Sequence, residues 1–296
     1  MGTNKRHRIR NYKDMVSSYY SVITEPYRHF WGDFFHPAIF EDLNDDIETA
    51  LLKTRKRFIR DSKLKADDAA IDLGCGIGTL SCFIASDVGC KVVGINITDF
   101  QLRKARKLAK DKRMHNVEFK NQDIKEADSL GQKFDAAFLI DVGCHLPDKG
   151  KALRKIYKIL NKGGRLVIAD WLQKDSLSLL ENELLIEPFN DYWNFPYMES
   201  LEGYKKLFTK TGFKIIKADD VSEETRKNWD AFYKIALEGV NTLNLKTIIS
   251  HISNPSVLKQ GKKSIQIAKN QFYANVFTKI CFDAGVFKYG YFVVEK

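Results

Sequence analysis

The sequence predicts an α/β fold, a mainly parallel sheet with helices on both faces. Three observations predict it. Short apolar runs alternate with segments of helical periodicity from about residue 69 to residue 218, the order in which parallel sheets are built. One of these runs, 69–73, leads straight into Gly74-Cys75-Gly76-Ile77-Gly78, and a helical segment follows. A strand, a glycine turn and a helix in succession let backbone approach a ligand closely. The chain also has 296 residues, of which 44% are apolar, enough to bury a large core.

Taken in order, residues 14–40 are dense in aromatics, among them Tyr19, Tyr20, Tyr27, Phe30, Trp31, Phe35 and Phe40. Asn44 or Asp45 can cap a helix running to about Arg60, with Ile47, Leu51, Thr54 and Phe58 on one face. The alternation then gives strand 69–73, helix 79–86, strand 91–95, helix 99–112 and strand 117–120. Strand 134–140, helix 149–160 and strand 166–169 complete it. Gly89, Asn161 and the Gly163-Gly164 pair punctuate the helix ends. After Trp171 the regularity loosens into an aromatic and acidic stretch around Glu187–Tyr197. A helix at 201–211 ends at Gly212, strand 213–218 follows, 222–285 reads as mostly helical, and 289–294 is a final β-run. The result is one Rossmann-like domain. Residues 1–60 are expected to form an N-terminal helical lid with a basic tail. Residues 61–296 carry the sheet, with lid insertions at about 172–205 and 222–285.

Composition excludes several classes. Five cysteines, none in a C-x-x-C pair, indicate neither a zinc site nor a disulfide framework, and reduced thiols suit a cytoplasmic protein. No metal site is expected. No apolar run reaches the ~20 residues that span a bilayer. The first residues lack the apolar stretch of a signal peptide, and Arg6 stands where a myristoylation signal wants Ser or Thr. The net charge is +10. Lys5, Arg6, Arg8, Arg10 and Lys13 read as a solvated tail. The basic residues of 103–110 and 151–158 read as solvated helix faces without interleaved aromatics, so nucleic acid is not the expected partner.

The polar residues at the strand ends carry the chemistry. Asp72 immediately precedes the glycine turn. A carboxylate there repels a pyrophosphate but suits a ligand bearing an ammonium. The second strand ends in Asn96-Ile97, where an amide can bond ribose hydroxyls. The third ends in Asp123-Ile124, where a carboxylate can accept from an adenine amino group. All three lie at the carboxyl edge of the sheet, where open α/β sheets bind ligands.

As a set these residues resemble class I S-adenosylmethionine-dependent methyltransferases. Ile71-Asp72-Leu73-Gly74-Cys75-Gly76-Ile77-Gly78 resembles the first motif of that family; Phe134-Asp135 and Leu160-Asn161-Lys162-Gly163-Gly164-Arg165-Leu166 resemble later ones. The likeness covers roughly residues 66–220. It implies a seven-stranded sheet of order 3-2-1-4-5-7-6, with 289–294 as the antiparallel seventh strand. It also implies S-adenosyl-L-methionine as cofactor, contacted by Asp72, Gly74, Gly76, Gly78, Asn96, Ile97, Gln101, Asp123, Ile124 and Asp141. Most of the family has an acidic residue where this chain has Asn96. The run Asn96-Ile97-Thr98-Asp99-Phe100-Gln101 is instead similar to the sterol C-methyltransferase and sarcosine/dimethylglycine N-methyltransferase groups.

Tyr19-Tyr20, Tyr27 and Trp31-Gly32-Asp33-Phe34-Phe35-His36-Pro37 resemble the same two groups. There, the resemblance implies, this segment covers the cofactor, assigning Tyr19 and Trp31 to the cofactor and Tyr20 to the reacting atoms. Aromatic faces suit the chemistry, since each can stabilise a nearby cation by ~0.5–2 kcal/mol. Phe30, Phe35 and Phe40 are expected in the core. His145, in the loop after the fourth strand, is a candidate base, with Glu25 or Asp191 as a nearby carboxylate. His29, His115 and His251 have no such context, and Cys75 and Cys144 read as packing residues. The leading expectation is methyl transfer to carbon or nitrogen of a small molecule. The alternatives are an RNA or protein methyltransferase and a catalytically silent cofactor-binding protein. Acceptor identity and oligomeric state stay open.

Overall fold

The computed structural model describes residues 7–242 and 262–296; the side chains of Phe30 and Trp31 are outside the description, as is His251. The central strands are β1 (Ala69–Leu73), β2 (Lys91–Asn96), β3 (Val117–Asn121), β4 (Phe134–Ile140) and β5 (Leu160–Gln173). A two-residue strand β6 (Glu199–Ser200) precedes β7 (Lys214–Asp220) and β8 (Phe287–Glu295). Their order is β3-β2-β1-β4-β5-β8-β7, with β6 paired to β5. This is the expected order; the insertion of β6 only advances the numbering of the last two strands. β8 runs antiparallel to both β5 and β7.

β1, β2, β4 and the 166–169 part of β5 are almost continuous apolar runs because helices cover both faces of a parallel sheet, whereas the edge strand β3 alternates polar and apolar residues. In β1, Ala70, Ile71 and Leu73 are fully buried. Register sets the site: Asp72 stands opposite Gly94 on β2 and Phe138 on β4, and Asn96 stands opposite Asn121. The carboxyl ends of four strands therefore finish together. β5 is much longer than the expected 166–169. Arg165 through Gln173 pairs along its whole length with β8, and that partner, 114 to 130 residues away in sequence, cannot be read from local pattern.

The helices are α1 (Tyr12–Trp31), α2 (Ile47–Ser62), α3 (Thr79–Val88), α4 (Asp99–Asp111) and α5 (Lys149–Ile159). Later come α6 (Glu187–Trp193), α7 (Leu201–Thr211), α8 (Ser222–Thr242) and α9 (Lys262–Asp283). The cap of α2 is Asp46, whose side chain accepts from Thr49 N at 2.7 Å, not Asn44 or Asp45. Asp45 is held by Lys53 at 2.7 Å, and Asn44 N donates to Asp42, so both belong to the preceding turn.

One face of the sheet carries α5 and α7, packed through Leu153, Ile156, Tyr204 and Phe208. The other carries an aromatic core. The Trp171 ring centroid lies 4.8 Å from Trp193, 5.1 Å from Trp229 and 5.0 Å from Phe287. The aromatic stretch after β5 is thus largely spent on packing. The basic tail also departs from expectation. Lys5 and Arg6 lie outside the described residues, but Arg8 is 3% exposed and paired with Glu187 and Asp191 of α6. Two carboxylates on α6 offset the desolvation of its guanidinium. Among the described residues no helix is long and apolar enough to cross a membrane.

Candidate functional site

A cleft of about 970 Å³, including its mouth, opens at the carboxyl ends of β1–β4 and is roofed by α1 and the segment after it. At the end of β1, Asp72 is buried, and its Oδ2 accepts from Ser81 Oγ at 2.5 Å. Burial pushes its carboxyl up to about 6 against that hydrogen bond. The glycine turn is pinned to β2, since Gly74 N and Cys75 N both donate to Ile95 O, at 2.8 and 3.0 Å. Gly76 has φ +53°, and a Cβ built there meets nothing within 4 Å. The turn therefore presents bare backbone to the cleft. Gly78 does not line it; a Cβ at Gly78 would come within 2.5 Å of Phe119, so this glycine serves packing.

At the end of β2, Asn96 Oδ1 accepts from Ile97 N at 2.8 Å, and its Nδ2 donates to Gln101 Oε1 at 2.9 Å. Gln101 Nε2 in turn donates to Thr24 Oγ1 on α1 at 3.1 Å. Asn96, Ile97 and Gln101 line the cleft, and the chain Asn96–Gln101–Thr24 ties the roof to the strand end. At the end of β3, Asp123 Oδ1 accepts from Lys125 N at 2.9 Å. Its Oδ2 is held by the Tyr12 hydroxyl and by Lys13 Nζ, the latter at 2.9 Å. Burial alone would push this carboxyl up, but the donors on α1 and the Lys125 amide hold it below the ordinary range. Ile124 lines the cleft beside it.

Beyond β4 the backbone turns sharply, with Asp141 at φ +54°, a region non-glycine residues enter rarely and often at functional sites. Asp141 Oδ1 accepts from the Tyr289 hydroxyl at 2.9 Å, while Oδ2 is buried without a partner. Burial, with Asp170 nearby, pushes this carboxyl well above the ordinary range. One short turn later, His145 Nε2 lies 2.9 Å from the Tyr20 hydroxyl. The imidazole is packed edge-on against Phe195 at 4.9 Å. Burial, assisted by Lys149, pushes it down to about 3, so it is neutral at ordinary pH. Its Nδ1 is buried without a partner.

The cleft thus gathers Tyr20, Asp72, Gly74, Gly76, Asn96, Ile97, Gln101, Asp123, Ile124, Asp141 and His145. It does not gather Tyr19, which turns away to Gln271 on α9. Nor does it gather Glu25, which pairs with Lys104 of α4 and with Arg28. Both sit on faces of α1 turned from the strand ends. The Trp31 side chain is outside the described residues. Phe40 is in the core as expected, but Phe35 lines the cleft, as does His36. Tyr12 and Val16 were missed altogether, although Tyr12, Val16, Tyr20 and Thr24 recur at helical spacing and mark one face of α1.

Comparison with known proteins follows the same lines. Residues 64–278 match a family model described as a methyltransferase domain. The chain is 26% identical over 222 residues to a sterol 24-C-methyltransferase of Kluyveromyces lactis, covering 74% of this chain and 60% of that protein. The chain therefore spans about three fifths of that relative's length. It is 24% identical over 274 residues to a chloroplastic tocopherol O-methyltransferase of Arabidopsis thaliana, covering 84% of this chain and 78% of the relative. A mycolic acid cyclopropane synthase solved with SAH and CTAB shares the fold at a TM-score of 0.79, with 13% identity and 96% and 98% of the two chains covered.

Proposed function

Because the chain belongs to the methyltransferase domain family, matched over residues 64–278, we propose that it is an S-adenosyl-L-methionine-dependent methyltransferase acting on carbon or nitrogen of a small molecule. The observation that carries this reading is the convergence, at one end of one cleft, of Asp72, Asp141 and the Tyr20–His145 pair at 2.9 Å. The names of its relatives, a sterol C-methyltransferase and a tocopherol O-methyltransferase, support a small-molecule acceptor. Five unpaired, buried cysteines support a cytoplasmic setting.

The residues present fit such a cofactor. Gly76 leaves backbone open to the cleft, Asp72 is a buried carboxylate suited to an ammonium, and Asp141 has an unpartnered oxygen. Asp72 and the glycine turn would hold the amino-acid end, Ile97 and Asn96 the ribose side, and Asp123 with Ile124 the adenine side. Bound there, the cofactor supplies a methyl group already activated on a sulfonium. The chain's residues then have alignment and exclusion of water to contribute, and alignment of reacting groups is worth up to ~7–11 kcal/mol.

Tyr20, Phe35 and His145 wall the reacting end, with Tyr12 and Val16 roofing the adenine end. We assign α1 and the segment after it the role of a lid over residues 61–296, with the insertion at about 172–205 and the described parts of that at about 222–285 closing the back; residues 243–261 lie outside the described residues. His145, neutral and hydrogen-bonded to Tyr20, can accept a proton; Tyr20, whose burial raises its hydroxyl well above the ordinary value, keeps its own. A carbon acceptor needs such a base, whereas an amine can lose its proton to water beforehand.

The test is transfer of a labelled methyl group by the full chain to a panel of small alkenes, amines and phenols, with bulk RNA and protein as competing acceptors. Label on carbon or nitrogen of a small molecule is the expected result. Label on a phenol would correct the acceptor atom, and label confined to RNA or protein would overturn the reading.

A further inference from the structure

Gln271, on α9, is 8% exposed, and every polar group of its amide is engaged. Its Oε1 accepts from the Tyr19 hydroxyl, and its Nε2 donates to the Tyr27 hydroxyl at 3.1 Å and to Asn275 Oδ1 at 2.9 Å. Asn275 lies one turn along the same helix and fixes which way the amide points. Both tyrosines belong to α1, more than 240 positions away in sequence. They stand on either side of Pro26. Proline has no N–H to donate to Val22 O, and its ring crowds that carbonyl, which weakens a helix at this point. One amide of α9 therefore spans the weak point of α1.

What the two tyrosines touch gives this bridge its meaning. Tyr19 and Tyr20 are consecutive and leave the helix about 100° apart, and their rings meet edge-on with centroids 5.0 Å apart. Fixing Tyr19 on α9 thus fixes the rotation at which the Tyr20 hydroxyl meets His145 Nε2, 2.9 Å away. The Tyr27 ring lies 5.7 Å from that of Phe35, which lines the cleft with Tyr20 and His145. Two walls of the reacting end are backed by rings bonded to the same side chain. Gln271 does not itself line the cleft, so it acts through these rings.

We propose that Gln271 is a positioning residue, which holds Tyr20 and Phe35 at the reacting end of the cleft by tying α1 to α9 across Pro26. Its purpose in catalysis rests on the methyltransferase reading above; its effect on the Tyr20–His145 pair does not. Glutamate in its place keeps acceptors for both tyrosine hydroxyls, whereas methionine has a similar volume and keeps neither.

The experiment follows the ring nitrogens of His145 by NMR in the full chain labelled at histidine nitrogen. His145→Gln assigns the signals, and Tyr20→Phe marks the unbonded Nε2. Gln271→Met should move the Nε2 signal toward its place in Tyr20→Phe, and Gln271→Glu should leave it near the parent's. Tyr19→Phe deletes only a hydroxyl turned from the cleft and should move the signal in the same direction, which decides the matter if Gln271→Met does not fold. On an acceptor found by the labelling assay above, Gln271→Met should lower kcat by about 3- to 10-fold, the equivalent of one neutral hydrogen bond, with S-adenosylhomocysteine affinity within about twofold. In the Tyr20→Phe background the same substitution should lower kcat by less than about twofold, since residues acting as one unit are not additive. A His145 signal unmoved by Gln271→Met and by Tyr19→Phe overturns the assignment. An equal loss of kcat in the Tyr20→Phe background overturns it too, because it marks general packing. A chain that transfers no methyl group overturns the methyltransferase reading, while the His145 signal still decides whether Gln271 sets the pair.

Discussion

At the scale of residues, burial sets the protonation states on which the site depends. Asp72, raised to about 6 by burial, must be ionised to hold an ammonium. Affinity for S-adenosylhomocysteine should then be level above about pH 7 and fall by roughly tenfold per unit as pH drops below about 6. Asp72→Asn should bind weakly with no such slope, and a parent affinity constant down to pH 5 would remove Asp72 from the ligand. His145 works in the opposite sense. Held at about 3, it stays neutral and adds no limb to a rate profile near pH 6.5. Tyr20→Phe keeps the ring and deletes the hydroxyl 2.9 Å from His145. It should lower kcat while leaving S-adenosylhomocysteine affinity within about threefold, less than one lost neutral hydrogen bond commonly moves binding. A variant with unchanged kcat would reduce the pair to packing.

At the scale of elements, α1 joins the site through three links, Tyr12 and Lys13 to Asp123, Thr24 to Gln101, and Tyr20 to His145. On the proposed reading the first would compete with a ligand for the same carboxylate, and its release would accompany binding at the adenine side. Tyr12→Phe should therefore leave S-adenosylhomocysteine affinity unchanged or tighten it, whereas Asp123→Ala should weaken it by ~1–3 kcal/mol. Calorimetry on both variants checks this, and a weakened Tyr12→Phe would mean that Tyr12 contacts the ligand. The strand ends were legible because each polar residue falls where a predicted strand gives way to a turn, as at Asp72, Asn96 and Asp123. The faces of α1 were not. Whether Tyr19 or Tyr20 meets the cleft, and whether Glu25 meets a base or Lys104, depends on the rotation of a helix docked against α4 and α9. That rotation is fixed by partners such as Gln271, more than 240 positions away.

At the scale of the molecule, the alternation of strands and helices was legible in the local pattern and predicted a mainly parallel sheet, while the strand order followed only from the resemblance of the motifs to a known family. The lengths of β5 and β8 were not legible, because each defines the other across the chain. The aromatic core over Trp171 joins β5, α6, α8 and β8, so Trp229→Ala should destabilise the whole fold by ~3–5 kcal/mol, measured by chemical denaturation. A loss below ~1 kcal/mol would show that this side folds apart from the sheet. The central claim is that the cleft over Gly76 binds the methyl donor. Calorimetric titration of S-adenosylhomocysteine into the parent chain and into Gly76→Val, with thermal unfolding as the check on folding, tests it most directly. The account expects saturable one-to-one binding to the parent and none to a folded Gly76→Val. Equal affinity in both, or no binding to the parent, would contradict it.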